Sequence, residues 1–579
     1  MTADAALNPA EQASEAALAK IRECLAEGKS FLLEAGAGAG KTYSLIETLK
    51  HLIAEKGNEL VGKHQQIACI TYTNVAADEI TARTDSHPAI HSSTIHHFCW
   101  SLIKDFQPFL REKLHETHRT WPEKIDEAGG ISNQEVIYDL GYRKIDDKEI
   151  TLHHDDILSF MVIILNEPKF QSLFAKHYPI LFIDEYQDTE TAFAETLKTC
   201  FLDTGTGPLI GFFGDHWQKI YGSGCGKIEH PNLEVIGKEA NFRSVPVIVN
   251  SLNNMRPSLP QQVRDPDATG AISIFHTNGW QGTRQTGGHW SGDLPAQEAH
   301  DYLENLKTRL QGEDWDFSPD KTKILMLTHN LLATEQGYKG LFDVFGRNES
   351  FTKKEDRHIA FMVDVLEPVC VAYANHYYGE MFSLLGRSTP LMSSHQNKEE
   401  WTRDMDTLLD LRENGTIGEV IDHLLRTKRP RLPEGIENKE RRLQEWLQQD
   451  PEEREESRSL SELNNLRSIA YSEVIALANF LNDSTPFNTK HGVKGAEFEN
   501  VLVVCGRGWN QYNFNQFLEW AGGTIPANKE ASYERNRNLF YVACSRPKKR
   551  LCLLFTQELS ATAISTLESW FGNDNILAA

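Results

Sequence analysis

Residues 35–42 read AGAGAGKT, between an apolar run (Phe31, Leu32, Leu33) and a stretch where Leu45, Ile46, Leu49, Leu52 and Ile53 repeat at helical spacing. Few patterns limit a fold so tightly. A loop of small residues lets backbone N–H groups approach an anion, and the helix behind it adds the positive end of its dipole. A lysine and a hydroxyl at its end suit phosphate charge and a Mg²⁺ ion. Lys41 and Thr42 stand there, preceded by Gly36, Ala37, Gly38, Ala39 and Gly40. Ala35 occupies the place where the strict pattern has its first glycine. The strand–loop–helix context makes a glycine-rich turn that binds nothing the weaker reading.

Short apolar runs bounded by turns suit strands buried on both faces of a parallel sheet. One set comprises residues 31–33, 67–70, 180–183 and 209–213; a second comprises 272–275, 324–327, 501–504 and 551–555. Helical patterns alternate with both. We therefore expect an α/β chain with two sheets, each interrupted by a mostly helical insertion, at about 102–178 and 346–483. The chain has 579 residues, too many for one core, and at roughly 150 residues per domain about four units are expected. The glycine-rich stretch 277–295 reads as a long loop near the junction of the two halves.

Lys plus Arg number 59 against 82 Asp plus Glu, a net charge of −23. That argues against an arginine-rich coat for nucleic acid but leaves room for a narrow basic channel, because phosphate contacts are local. Nine cysteines without a CxxC pair exclude a zinc ribbon or an iron–sulfur cluster. They read as free thiols in a reducing cytoplasm. No run of about 18 apolar residues exists, and the N-terminus lacks a basic region followed by an apolar core. Secreted and membrane classes are set aside.

The run 180–188, ILFIDEYQD, delivers Asp184 and Glu185 to a strand end beside the phosphate loop. One carboxylate can hold Mg²⁺ while its neighbour polarises a water. A solvated acidic pair is the weaker alternative after so apolar a run.

With these residues in place, the chain resembles the UvrD/Rep/PcrA-like superfamily 1 DNA helicases. DEYQDT is similar to the family's DE[FY]QDT. Leu7, Asn8, Pro9 and Gln12 resemble the adenine-reading Q motif, shifted by one residue. Thr71, Tyr72, Thr73 and Asn74, with Ala76 and Ala77, resemble motif Ia, which grips single-stranded DNA. Thr94, Ile95 and His96 resemble the TFH motif. Gly214, Asp215, Gln218, Ile220 and Tyr221 resemble motif III, and Asn241, Phe242, Arg243 and Ser244 resemble motif IV. Thr489, Lys490, His491, Lys494, Gly495, Glu497 and Phe498 are similar to motif V. Arg537, residues 539–543, Ser545 and Arg546 are similar to motif VI. The likeness spans about residues 7–555.

The resemblance implies two RecA-like P-loop domains: 1A (1–101 and 179–265) and 2A (266–345 and 484–579), with insertions 1B (102–178) and 2B (346–483). ATP would sit between them. Lys41 would neutralise phosphates, Thr42 and Asp184 would hold Mg²⁺, and Glu185 would activate water. Gln218, Arg243 and Arg546 would sense or stabilise the γ-phosphate, Phe242 would stack on adenine, and Glu497 would bind ribose. Tyr72, Thr73, Asn74, His96, Tyr221 and His491 would contact DNA. The expected activity is 3′→5′ translocation on a single strand and unwinding of tailed duplex. The alternative is a DNA-stimulated ATPase that senses or translocates beside a partner nuclease, as in anti-phage systems such as Gabija.

Four departures stand out. Ser223, in a GSGCG run, replaces the DNA-stacking tryptophan of motif III, which leaves Tyr221 as first substitute, with Trp217 and Tyr72 behind it. Asn538 replaces the second arginine of motif VI. The second insertion is short. Only 33 residues follow Arg546, so no appended nuclease is expected. Three further features have bland readings beside functional ones. Arg426, Lys428, Arg429 and Arg431 form a basic knot or a solvated helix end. Tyr512, Phe514 and Phe517 offer stacking faces or a helix core. His154, Asp155 and Asp156 read as structure rather than a metal site.

Overall fold

The computed structural model describes residues 7–138, 143–220, 222–326, 329–345, 351, 354, 356–386, 394–450, 457–482, 485–488, 496–506 and 512–579. Two six-stranded sheets organise the chain. The first runs in the order Ile90–Thr94, Ile67–Thr71, Ile180–Asp184, Leu209–Gly214, Phe31–Ala35, Glu234–Lys238, and every pairing in it is parallel. The second runs Phe487–Asn488, Thr322–Met326, Phe498–Cys505, Pro547–Phe555, Ala271–His276, Ile576–Ala578, again parallel throughout. All eight apolar runs supply inner strands. Parallel strands need long crossovers, and helices such as Lys41–Gly62 and Glu530–Cys544 provide them.

The first insertion contains the helices Gln107–Thr117, Trp121–Glu127, His154–Leu165 and Pro168–His177, plus a small sheet of Glu135–Tyr138, Glu149–Leu152 and Lys144–Ile145. Its Leu110, Leu114, Trp121, Ile150 and Met161 share one core with Leu32, Ile70, Ile183 and Phe212 of the first sheet. The second insertion is helical among the described residues. In Ile417–Thr427, Ile417, Val420, Ile421 and Leu424 fall on one face, behind a capping box of Thr416 and Glu419. That face joins a core with Ile324, Leu502 and Leu554 of the second sheet.

Several of the features with two readings have partners within the fold. Arg429 pairs with Glu400 and Asp404, Lys428 pairs with Glu437, and Arg426 contacts His423 Nδ1 at 3.2 Å. Tyr512, Phe514 and Phe517 are buried. Asp156 accepts from Arg143 and from His153 N, closing the capping box of His154–Leu165. In the stretch 277–295, Arg284 donates to Gly292 O and Thr556 O and lies over the Trp280 ring. Among the described residues, no single helix is long and apolar enough to cross a membrane.

Candidate nucleotide site and nucleic-acid groove

The phosphate loop leaves the buried end of Phe31–Ala35 and enters Lys41–Gly62. Gly38 and Gly40 take φ of +73° and +71°, where a side chain is strained. A Cβ on Gly38 would also lie 2.8 Å from Arg243 Cβ and from Asn241 Oδ1. Ala35 is the last strand residue, so its Cβ is accommodated in the core. Asn241 Nδ2 and Gln261 Nε2 each donate to Ala37 O at 3.1 Å, and Phe242 N donates to Gly38 O at 2.8 Å. The NFRS segment thus clamps the loop.

Strand Ile180–Asp184 ends two positions from the loop strand, with Leu209–Gly214 between. Glu185 follows with φ +50°, a left-handed turn that a non-glycine residue rarely takes. Its carboxylate lies 3.4 Å from Lys41 Nζ and accepts from Gln187 Nε2 at 2.6 Å. Asp184 is buried, and its Oδ1 accepts from Glu185 N at 3.0 Å. Asp184 and Thr42 offer hard oxygen donors, the chemistry Mg²⁺ prefers.

The second sheet contributes Arg546, 1 % exposed, from the turn after helix Glu530–Cys544. Its Nη2 donates to Gln218 Oε1 at 3.2 Å, and Gln218 Nε2 donates to Asp215 Oδ2 at 2.8 Å. Burial, then the charge of Arg243, pushes the Arg546 guanidinium down to about 9, with Glu185 acting against them. Burial likewise lowers Arg243, opposed by Glu497. Arg243 Nε donates to Glu497 Oε2 at 3.1 Å and its Nη1 to Ser545 O at 2.9 Å. Glu497 also pairs with Lys548 at 2.8 Å. Burial alone would raise the Glu497 carboxyl, but Lys548 and Arg243 hold it below its ordinary range. Two buried arginines brought together in this way favour an anion beside them.

A cavity of about 460 Å³ opens beside the loop, lined by Leu7, Glu11, Ser14, Glu15, Gly40, Tyr43 and Phe242. Phe242 therefore faces the same space as the segment around the Q motif. Gln12 is not in that lining; its Nε2 donates to Leu7 O at 2.7 Å and tethers the start of the first helix. Tyr43, which motif reading passes over, supplies a second aromatic wall.

At the C-terminal ends of strands Ile67–Thr71 and Ile180–Asp184 lies a cavity of about 230 Å³, whose lining includes Tyr72, His96, His154, Asp155, Glu185, Asp188 and Ser223. Tyr72 is 44 % exposed. Thr73 caps helix Asn74–Arg83, accepting from Ala76 N, which puts Asn74 at the helix start. His96 stacks on His154 with centroids 3.3 Å apart. Burial, then His154, lowers His96 to about 4, while Asp155 opposes. The GSGCG loop is sewn to the DEYQDT segment: Thr191 N donates to Ser223 O, Cys225 N to Thr189 O and Gly226 N to Gln187 O. Ser223 thereby ends up near both Glu185 and Tyr72. Tyr221 and His491 lie outside the described residues. Trp217 is packed, with Arg537 4.2 Å and Arg256 5.1 Å from its ring centre and Tyr541 edge-on at 5.4 Å.

Two family models match the chain: one described as an AAA domain over residues 19–224, and one as a UvrD-like helicase C-terminal domain over residues 374–558. The chain is 24 % identical to the Gabija protein GajB of Bacillus cereus (strain HuB5-5), across 92 % of this chain and 94 % of that protein. It is 26 % identical to the ATP-dependent DNA helicase Rep of Buchnera aphidicola subsp. Schizaphis graminum (strain Sg), across 39 % of this chain and 41 % of Rep. Against the ATP-dependent DNA helicase PcrA of Bacillus subtilis (strain 168) the identity is 25 %, across 39 % of this chain and 37 % of PcrA.

Proposed function

We propose that this chain, a UvrD-like helicase related to the Gabija protein GajB, hydrolyses ATP between its two parallel sheets and steps 3′→5′ along single-stranded DNA. The division into 1A, 1B, 2A and 2B given above belongs to the same proposal. The main support is the contact of Arg546 with Gln218, 3.2 Å long, in which a cation from the second sheet meets a side chain of the first. A γ-phosphate in that seam would draw the two sheets together. Charge developing on it would be met by Arg546 and Arg243 without reorganisation of solvent.

Lys41 would hold the phosphates, and Glu185, 3.4 Å from it, would accept the proton of the attacking water. Thr42 and Asp184 would hold Mg²⁺, which supplies charge neutralisation at the phosphate oxygens. Phe242 and Tyr43 would flank the base and Glu497 would meet the ribose. Tyr72, Asn74 and His96 would face the DNA strand, with Tyr221 and His491 assigned there by resemblance alone. Glu185 and Ser223 of the sewn loop both line that groove cavity, which would couple the nucleotide site to the strand.

A second reading draws on the alignment with the Gabija protein GajB, which covers nearly all of both chains. In it the same ATPase serves as DNA sensor or translocase beside a partner nuclease, without unwinding duplex alone. ATP turnover with and without single-stranded DNA, together with unwinding of 3′- and 5′-tailed duplexes, tests both. Turnover indifferent to DNA would exclude a motor. Stimulated turnover with neither duplex unwound would select the second reading. In the same assay Lys41→Ala should abolish turnover, whereas Glu185→Gln should still bind ATP; full-rate hydrolysis by Glu185→Gln would remove it from the proton-accepting role.

A further inference from the structure

Lys238 takes no part in the chemistry set out above, yet its side chain is buried against the phosphate loop. It closes strand Glu234–Lys238 and is 0 % exposed. Its Nζ donates to Gly40 O at 3.1 Å and to Ser44 Oγ at 2.6 Å, the two residues that bracket Lys41 and Thr42. The ring centres of Tyr43 and Phe242 each lie 5.7 Å from the same ammonium. Both rings line the cavity of about 460 Å³ assigned above to the base. Among the described residues Lys238 forms no ion pair; its hydrogen-bond partners are a carbonyl and a hydroxyl. A buried charge held only by neutral groups is costly, and such a charge is tolerated where an ion of opposite sign completes it.

We propose that Lys238 is a positioning residue of the nucleotide site: it ties the two base-flanking rings to the phosphate loop, and its buried positive charge is balanced by the polyphosphate of a bound nucleoside triphosphate. This rests on the nucleotide reading given above. The ammonium lies beneath the first turn of helix Lys41–Gly62, where it adds to the positive helix end. The ionisable groups that face it are Glu15 on the first helix and Tyr43 on the phosphate-loop helix, whose ring centre is 5.7 Å away, with Glu11 beside Glu15 in the cavity lining; Glu34 on the neighbouring strand turns instead to Tyr186, His216 and Arg256. Burial pushes the Lys238 ammonium down to about 8, and Glu15 acts against this. A polyanion nearby favours the charged form and raises that value. Between the two values binding takes up a proton, so affinity falls as pH rises above about 8.

The test compares ATP with adenosine, which shares the base and ribose but carries no phosphate. Calorimetric dissociation constants are measured for the full chain and for Lys238→Met, which keeps the stem and loses the charge. The expected result is an ATP constant raised about tenfold, the equivalent of one pKa unit, with adenosine binding changed less than about twofold. In steady-state turnover the loss should appear in KM rather than kcat. Proton uptake on ATP binding at about pH 8.5, read from buffers of different ionisation enthalpy, should be present in the wild type and absent in the variant. Equal weakening of ATP and adenosine, or wild-type ATP affinity in Lys238→Met, would overturn the inference. If Lys238→Met does not fold, absence of proton uptake by the wild type would overturn it unaided. Phe242→Ala separates the two levels of reading. If it weakens both ligands while Lys238→Met weakens neither, only the lysine assignment falls; if it weakens neither, the base cavity itself is misassigned.

Discussion

Asn538 donates through its side-chain amide to His216 O at 3.0 Å and to Lys219 O at 3.1 Å, so a helix of the second sheet grips the loop that carries Gln218. The short amide replaces an arginine that the family resemblance leads one to expect. An arginine has no comparable pair of donors so close to its own backbone. Asn538→Ala should leave two carbonyls without these partners and cost about 1–3 kcal/mol of stability. DNA stimulation of turnover should fall further than basal turnover, because the loop lies on the route between the seam and the groove. Melting curves and turnover with and without single-stranded DNA check this; equal losses in both rates would show that the grip carries no DNA signal.

Tyr72 and Trp217 should behave oppositely. Exposed Tyr72 lines the groove cavity, whereas Trp217 is packed against Arg537 and Arg256. Tyr72→Ala should weaken single-strand binding by about 1–3 kcal/mol, the range for one base–aromatic contact. Trp217→Ala should instead lower stability by about 3 kcal/mol, the low end for loss of a packed aromatic side chain, with DNA affinity nearly unchanged. Binding titrations and thermal melts on both variants suffice. A reversal of the two phenotypes would move the stacking surface into the Gln218 loop.

Arg546→Ala should reduce DNA-stimulated turnover roughly 10³-fold or more, the lower end for an arginine finger. Affinity for DNA without nucleotide should change little, since the side chain is buried at Gln218 rather than in the groove. Normal hydrolysis by this variant would mean that the seam between the sheets is not where ATP reacts.

Acid should act in two stages. Burial and then His154 hold His96 at about 4 against an ordinary 6.5, so the unfolded chain binds the proton first and stability declines as pH falls from about 6.5 to 4. At Glu34 burial pushes the carboxyl up, but the hydrogen bond and charge of His216, then Arg256, outweigh it and hold it at about 2. Its stabilisation is complete above an ordinary 4.5 and is lost as pH falls from there toward 2. Melting temperature across pH 3–7 should therefore show a shallower upper limb in His96→Phe and an unaltered lower one. Identical profiles in the two proteins would rule out the stacked imidazoles as the source.

Much of this was legible because buried parallel strands announce themselves as unbroken apolar runs. The edge strands did not. Ile90–Thr94 reads IHSST and Glu234–Lys238 reads EVIGK, since an edge strand has one side in water and needs fewer apolar residues. The strands of the first insertion, two to four residues long, are too short for a period-2 pattern to emerge. The phosphate-loop residues were nameable because backbone approach to an anion demands small residues in fixed order. Tyr43 and Lys238 were not: an aromatic after the loop looks like an ordinary surface residue, and Tyr43 is indeed exposed, while a lysine before NFRS gives no sign that the sheet buries it. Asn538 showed in sequence only as a missing arginine; its partners are backbone carbonyls, which no side-chain pattern can advertise.

The shared cores have a consequence for how the molecule can be taken apart. Trp121, Leu114 and Ile150 of the first insertion complete the same apolar body as Ile70 and Phe212, and Ile421 and Leu424 of the second do so with Ile324 and Leu554. Neither insertion is a cassette. Cutting either one out and rejoining the ends would strip one wall from a sheet and leave a greasy face open to water. Shortening these arms in an engineered version must therefore begin at their tips, and the inner helices must be kept as part of the sheets they roof.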